Sequence, residues 1–133
     1  MAEIIHPQGW PAAKGYANGM AAEGKVIFVG GQIGWTKDQI FETDDFVEQA
    51  EQAMRNIVDV LASAGAQTTD LVRLTWFITD KKTYVAEQKR LGEAYRRVFG
   101  RHFPAMTLVQ VVALLEDRAL VEIEATAVIP ARS

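Results

Sequence analysis

Two short segments of the chain are apolar at nearly every position. Residues 26–29 and 71–78 are rich in β-branched and aromatic side chains, which is typical of buried strands. A strand with one face in water alternates apolar and polar residues, whereas these two need cover on both faces. A chain of 133 residues is expected to form one domain over residues 1–133, with room for few helices. The second sheet face is therefore predicted to pack against another copy of the chain.

Residues 45–64 form the clearest helical segment. Asp45 and Glu48 are spaced as a capping pair at its start, and Gly65 supplies the stop at its end. Its apolar residues recur every three or four positions and predict one continuous buried stripe. The stripe consists of Phe46, Val47, Ala50, Ala53, Met54, Ile57, Val58, Leu61 and Ala62.

The remaining segments alternate between strand-like and helix-like patterns. A second helix is predicted over residues 83–99, ended by Gly100, and a short extra strand over residues 3–6 is left open. A tight turn at Glu23 and Gly24 would join the first two strands as a hairpin. Strands are predicted over residues 16–22, 25–33, 71–79, 106–114 and 120–129. This order predicts an α+β fold in which two helices pack on one face of a mixed sheet.

Composition and charge exclude several classes of function. The chain has no cysteine, which excludes a thiolate nucleophile and a Cys-ligated zinc, and its two histidines lack metal-site spacing. With 14 basic and 17 acidic residues, its net charge of −3 does not favour nucleic acid as a partner. No membrane span or secretory signal is recognisable, so we expect a soluble, cytoplasmic protein without a metal site.

A glycine-rich segment follows the strand over residues 25–33. Gly30-Gly31-Gln32-Ile33-Gly34 has the position of a phosphate-binding loop, but it lacks the GxGxxG order and opens no helix. Paired glycines at a strand end favour the close approach of another backbone or a small ligand. A simple bulge is the alternative.

The second helix and its flanks are basic, which favours a solvated surface over an RNA-binding face because no aromatic residues are interleaved. Gln88 falls on the predicted buried side of this helix, between Tyr84 and Leu91. A buried amide needs hydrogen-bond partners, so Gln88 is predicted to face a polar cavity or a subunit boundary.

Two carboxylates lie in the last strand. A period of two places Glu122 and Glu124 on one face, with Val121, Ile123 and Ala125 on the other. They could form salt bridges between subunits, or one of them could act as a general acid/base or orient a water molecule. The residues alone leave both alternatives open.

Several separated motifs together resemble the Rid family, the YjgF-like reactive intermediate deaminases. They are Gly15-Tyr16, the strand end Val29-Gly30-Gly31-Gln32-Ile33, the run Phe103-Pro104-Ala105-Met106-Thr107, and Val121-Glu122-Ile123-Glu124-Ala125. The resemblance implies a chorismate-mutase-like fold assembled as a homotrimer, with small clefts between subunits. It also implies hydrolysis of enamines and imines to ammonia and a 2-keto acid, without a cofactor or metal.

The resemblance assigns roles to individual residues. Tyr16, Gly31 and Gln32 match family positions that form the substrate cleft, and Glu122 matches the glutamate that positions or protonates the attacking water. The family's arginine, which binds the substrate carboxylate, is replaced by Met106. A thioether offers an apolar contact in place of a charge-assisted pair, so small anionic imino acids should bind more weakly.

Two tryptophans add to the expected apolar character of the cleft. With Met106 and Tyr16, Trp35 and Trp76 would make the cleft more apolar, although Trp76 fits core packing better. The resulting hypothesis is a Rid-type hydrolase with altered specificity for a small metabolite. The alternative is a non-catalytic trimer that binds a small metabolite in the same cleft. RNA cleavage, attributed to some relatives, has little support in an acidic chain without a histidine pair.

Overall fold

A four-stranded mixed sheet and three helices form most of the fold over residues 2–131, which the computed structural model describes. The strands are β1 (Glu3–Ile5), β2 (Gly19–Ala21), β3 (Gly24–Ile33), β4 (Leu71–Ile78), β5 (Ala105–Gln110) and β6 (Val121–Pro130). The helices are α1 (Phe46–Ser63), α2 (Lys81–Ala86) and α3 (Gln88–Phe99), and a 3₁₀ turn spans Thr68–Asp70. The predicted α+β class is confirmed.

The sheet has the order β3-β6-β4-β5. β4 and β5 run parallel, with Leu74 opposite Met106, and β6 runs antiparallel to both β3 and β4. On the β6 side, Leu74 lies opposite Ala125, and Phe77 lies opposite Glu122. Because neighbours across a ladder point to the same face, this register decides which side chains can meet.

The predicted first helix is confirmed. The side chain of Asp45 accepts a hydrogen bond from the backbone N–H of Glu48 at 2.9 Å, and Gly65 follows the helix with a φ of 78°. The apolar stripe of α1 lies on β3 and β6, with α3 packed beside it. Ala62, at the last turn, is the stripe residue that is exposed.

The predicted hairpin is wrong. β2 pairs with β1, with Ile4 opposite Met20, while β3 pairs with β6. The segment before β2 lies at the far edge of the sheet, where Ala17 forms a bridge to Ala105. Pairing of β2 with β1, together with the bridge from Ala17 to β5, thus replaced the local hairpin that the sequence favoured.

The predicted second helix is divided at Glu87 into α2 and α3. Gln88 therefore begins α3, and its side chain is exposed and not buried as predicted, although it lines a cavity together with Tyr84 and Leu91. β5 ends at Gln110, well before the predicted end of this strand, and the following loop exposes Val112 and Leu115 almost completely.

One face of the sheet carries the helices, and the other is uncovered in a single chain. We call the uncovered side the open face. Its apolar side chains include Phe28 and Val26 at one edge, exposed to 79% and 48%, and Val109 at the other. Within residues 2–131, no helix is long and apolar enough to cross a membrane.

Candidate active site

Glu122 lies directly against the backbone of Gly31. A β-carbon built on Gly31 would overlap the carboxylate oxygen Oε2 of Glu122 and lie 2.8 Å from its Cδ. The neighbouring Gly30 has open space at the same position. The glycine-rich strand end therefore admits a close approach, and the group that approaches is a carboxylate.

Apolar and polar residues both lie near Glu122, with Phe77 opposite it on β4 and Ile33 opposite it on β3. Gln32 donates from Nε2 to the backbone oxygen of Gly30 at 3.2 Å, which fixes its amide beside the glycines. Glu124 lies two positions along β6, on the same face as Glu122, opposite Thr75. The predicted pairing of the two carboxylates on one face is confirmed, and that face is the open one.

A second group of predicted residues lines a cavity of about 390 Å³ beside β4, β5 and α3. We call it the aromatic cavity. Tyr16, Gln88 and Met106 line it, and Trp76 contributes to its wall. The other lining residues are Lys14, Gly15, Tyr84, Leu91, Gly92, Tyr95, Arg96, Phe103 and Leu108.

Local backbone contacts bring Tyr16 to this cavity. The N–H of Ala17 donates to the backbone oxygen of Pro104 at 3.0 Å, and Ala17 bridges to Ala105. Gly15 has a φ of 75°, a conformation that favours glycine, and turns the chain just before this contact. Tyr16 and Met106 consequently lie next to the paired residues Ala17 and Ala105.

Among the polar groups of residues that line the aromatic cavity, some have hydrogen-bond or ion-pair partners and others have none. Trp76 is 3% exposed, and its indole Nε1–H is buried without a hydrogen-bond partner among the described residues. Tyr95 donates its hydroxyl to the backbone oxygen of His102 at 2.6 Å, and burial raises the pKa of Tyr95. Lys14 and Arg96 are exposed and form no ion pair within the described part of the chain.

Within one chain the two groups are on opposite faces of the sheet. Met106 shares a face with Leu74 and Ala125, which lie in the helix-covered core. Glu122 shares the open face with Phe77, three residues from Leu74 along β4. One copy of the chain therefore does not bring Glu122 and Met106 together.

Trp35 belongs to neither group. Its ring lies 5.8 Å from that of Phe41, and its backbone oxygen accepts a hydrogen bond from Nδ2 of Asn56 at 2.8 Å. These contacts place Trp35 beside α1, so it does not line the aromatic cavity as the sequence suggested. Trp76 combines the predicted core burial with a place in the cavity wall.

Gln49 is the fully buried amide of the described chain, and it was not among the residues predicted to be functional. Its Nε2 donates to the backbone oxygens of Thr43 and Arg118 at 3.0 Å each, and its Oε1 accepts from the N–H of Leu120 at 2.9 Å. These bonds tie α1 to the chain immediately before β6. A glutamine among the buried positions of α1 was the available signal. No group of three or more His, Cys, Asp or Glu within residues 2–131 could hold a metal ion.

Comparison with known proteins identifies the family to which the chain belongs. The family model described as Endoribonuclease L-PSP matches residues 8–129. The chain belongs to the Rid (YjgF/RutC) family. TdcF of Escherichia coli, which is named a reactive intermediate deaminase, is 33% identical over 132 residues, covering 96% of this chain and 98% of TdcF. The resemblance inferred from the motifs is thus confirmed.

Solved structures of the Rid family share the fold. The Rid protein YyfB of Yersinia pestis has a TM-score of 0.86 and 25% identity, covering 96% of this chain and 98% of YyfB. A structure of E. coli TdcF with bound serine has a TM-score of 0.67 and 32% identity, covering 98% of this chain and 99% of that one. The Rid fold therefore extends over nearly the whole of residues 2–131.

Proposed function

We propose that this Rid protein hydrolyses small imines or enamines at a cleft formed between neighbouring copies, with a substrate specificity altered by Met106. The observation that carries the proposal is the contact of the Glu122 carboxylate with the backbone of Gly31 on the open face. The name of TdcF, a relative at 33% identity, supports the same reaction class.

The proposed cleft requires that copies of the chain associate. The open face exposes Phe28 and Val26, whose burial against another copy would remove a large apolar surface from water. We propose a homotrimer, with closed symmetry, as the assembled form in the cytoplasm. Since Glu122 and Met106 lie on opposite sheet faces, a cleft containing both would take Glu122 from one copy and the aromatic cavity from its neighbour.

Glu122 would act as the general base and general acid of the reaction. It accepts a proton from water as the oxygen bonds to the imine carbon, and it returns that proton to the nitrogen. The nitrogen then takes up a second proton as the new hydroxyl group loses its own, again through Glu122, and the C–N bond breaks, so that one imine and one water give one ammonia and one 2-keto acid. No redox change or group transfer is involved, and the chemistry needs no cofactor. Gly31 matters because a larger residue would displace this carboxylate.

Met106 supports a change of substrate. Small anionic imino acids need a charge-assisted anchor near the reacting carbon, and a thioether cannot donate a hydrogen bond. Tyr16, Met106 and Trp76 instead offer a largely apolar surface. This same observation favours the second candidate function, a non-catalytic trimer that binds a small metabolite.

A hydrolysis assay separates the two functions. An amino-acid oxidase would generate imines in situ, and ammonia release would be followed with wild type, Glu122→Gln and Glu124→Gln. Glu124 is the matched control because it lies on the same face of the same strand. We expect wild type and Glu124→Gln to accelerate hydrolysis and Glu122→Gln to lose about 100-fold or more. Equal activity of all three, or none in wild type with any imine, would contradict the enzyme proposal.

A further inference from the structure

The loop that connects β5 to β6, residues 111–120, carries two apolar side chains that lie almost entirely in water. We call this segment the β5–β6 loop. Val112 and Leu115 are 103% and 95% exposed, more than any other large apolar side chain within residues 2–131. A single exposed apolar residue is common on a protein surface, but two such residues in one short loop favour contact with another molecule.

Backbone hydrogen bonds hold both ends of the β5–β6 loop at the end of β4. The N–H of Val111 donates to the backbone oxygen of Ile78 at 2.8 Å, and the N–H of Thr79 donates to the backbone oxygen of Leu120 at 3.2 Å. Residues 112–117, which we call the loop tip, lie between these fixed ends. A segment that is already ordered loses less conformational entropy when it binds a partner.

The loop tip combines its apolar residues with negative charge. Glu116 and Asp117 directly follow Leu115, are exposed, and form no ion pair in the described part of the chain. Complementary interfaces set opposite charges against each other around an apolar centre. The partner surface of the loop tip should therefore be apolar in its middle and basic at its edge.

The aromatic cavity has both properties. Tyr16, Met106 and Leu108 line it with apolar groups, and Tyr16 is 44% exposed in a single chain. Lys14 and Arg96 also line it, are exposed, and form no ion pair among residues 2–131. No acidic residue lines the cavity, so two carboxylates placed at its edge would meet two cations.

The register of the sheet places the β5–β6 loop beside Glu122. Val121 lies opposite Ile78 and Glu122 lies opposite Phe77, while Val111 is bonded to Ile78. The loop and Glu122 are therefore at the same end of the sheet. No residue of the loop lines the aromatic cavity of its own chain. A copy that presents Glu122 to a neighbour's aromatic cavity would bring its loop to the same place.

We infer that the loop tip packs on the aromatic cavity of a neighbouring copy and forms part of its wall. The apolar residues of the tip cover the cavity, and its two carboxylates pair with Lys14 and Arg96. The inference rests on the proposed function, because it requires the assembly in which Glu122 faces a neighbour's cavity. The cavity is then incomplete in a single chain.

The open face of a neighbour is the alternative partner for the loop tip. It carries Glu122 and Glu124 on adjacent outward positions of β6, and their negative charge would oppose an acidic tip. Arg73 lies beside Glu124 there, whereas the aromatic cavity offers two cations and no carboxylate. Charge complementarity therefore favours the aromatic cavity.

Cross-linking of introduced cysteines locates the contact, since the chain has no cysteine of its own. Leu115→Cys combined with Lys14→Cys, treated with a short bismaleimide, should join copies into covalent dimers and trimers on a denaturing gel. Either cysteine alone should leave single chains. Leu115→Cys combined with Phe28→Cys tests the open face. Copies joined through Phe28 but not through Lys14, or joined through neither, would overturn the inference.

Charge reversal tests the ion pairs. Glu116→Lys together with Asp117→Lys should raise the concentration at which the assembly dissociates by about tenfold or more, because the loop tip and the cavity edge then repel each other. Adding Lys14→Glu and Arg96→Glu to the same chain should restore association, which a misfolded loop would not allow. Sedimentation over a dilution series measures the dissociation.

The matched control reverses two exposed acidic residues elsewhere, Asp59 on α1 and Glu3 on β1. Neither forms an ion pair in the part of the chain that the structure describes. Asp59→Lys together with Glu3→Lys should leave association unchanged. An equal loss in this control, or no recovery in the fourfold variant, would contradict the pairing of the loop tip with Lys14 and Arg96.

The outcomes also separate this inference from the proposed function. If copies are joined through Leu115 and Lys14 but hydrolyse no imine, the hydrolase proposal fails and the contact stands. If hydrolysis depends on Glu122 but no such cross-link forms, the hydrolase proposal stands and the contact is wrong.

Discussion

The carboxylate of Glu122 occupies the space that a β-carbon on Gly31 would need. The φ of Gly31 is not positive, so its backbone is open to any residue and the requirement for glycine comes from this neighbour alone. The two residues are distant in sequence and lie on adjacent strands, β3 and β6. Glycine at position 31 therefore leaves the space that the Glu122 carboxylate occupies.

Gly31→Ala should lower hydrolytic activity at least about tenfold, because the new methyl group displaces the Glu122 carboxylate from its position. Gly30→Ala is the matched control, since no atom lies within 4 Å of the corresponding position. The measurement is ammonia release together with thermal unfolding of both variants. If the two variants were equally active, the contact between Gly31 and Glu122 would have no part in the reaction.

Phe28→Asp should disrupt the proposed trimer. Phe28 is 79% exposed on the open face, and a carboxylate there would be buried without a partner in the assembled form. Light scattering should show the mass falling from three chains to one. Val85→Asp is the control, because Val85 is 66% exposed on α2, away from the open face. A trimer that survives Phe28→Asp would place the subunit contact elsewhere.

Met106→Arg should increase hydrolysis of the small imine derived from serine or alanine. A guanidinium–carboxylate pair contributes about 1.5–3 kcal/mol, which bounds the gain at about 10- to 100-fold. The gain is reduced by the cost of placing a charge beside the half-buried wall of the cavity. Met106→Leu keeps the apolar character and should leave the rate with small imines low. No gain for arginine would indicate that another group already binds the carboxylate.

Gln49→Leu should destabilise the protein by about 2–4 kcal/mol. The substitution leaves the backbone oxygens of Thr43 and Arg118 and the N–H of Leu120 without their buried partner. Denaturant unfolding measures the loss. Gln52→Leu is the matched control on the same helix, because the half-buried Gln52 gives up one side-chain bond, to Asn56. Equal losses in both variants would mean that the Gln49 bonds add nothing beyond helix packing.

Stability should fall as the pH drops below about 4, partly through Asp45. The hydrogen bond from Arg90 lowers the pKa of Asp45 below its usual value. A lowered carboxyl pKa stabilises the fold above the unfolded-state pKa, and the benefit is lost as the pH falls through the folded-state pKa. Asp45→Asn keeps a capping side chain but has no carboxyl to titrate, so its melting temperature should fall less between pH 5 and pH 2. Parallel melting curves over this range would exclude a contribution from Asp45.

The sequence predicted the elements that depend on local patterns. The apolar stripe of α1, its cap at Asp45 and its stop at Gly65 follow from helical periodicity and short-range hydrogen bonds. The shared face of Glu122 and Glu124 follows from the period of a strand. The family motifs also singled out Gly31, which lies against Glu122, and Tyr16, which lines the aromatic cavity.

Tertiary structure decided what depends on partners distant in sequence. Residues 16–22 read as half of a hairpin, yet the bridge from Ala17 to Ala105 holds them at the opposite edge of the sheet. Gln88 fitted a buried helix position but is exposed at the start of α3. Gln49 is the buried amide, and it bonds to chain far from it in sequence. Periodicity fixes which side of an element is apolar, because that depends on neighbours along the chain. Strand order and register, which separate Glu122 from Met106 on opposite faces, come from long-range pairing that no local pattern encodes.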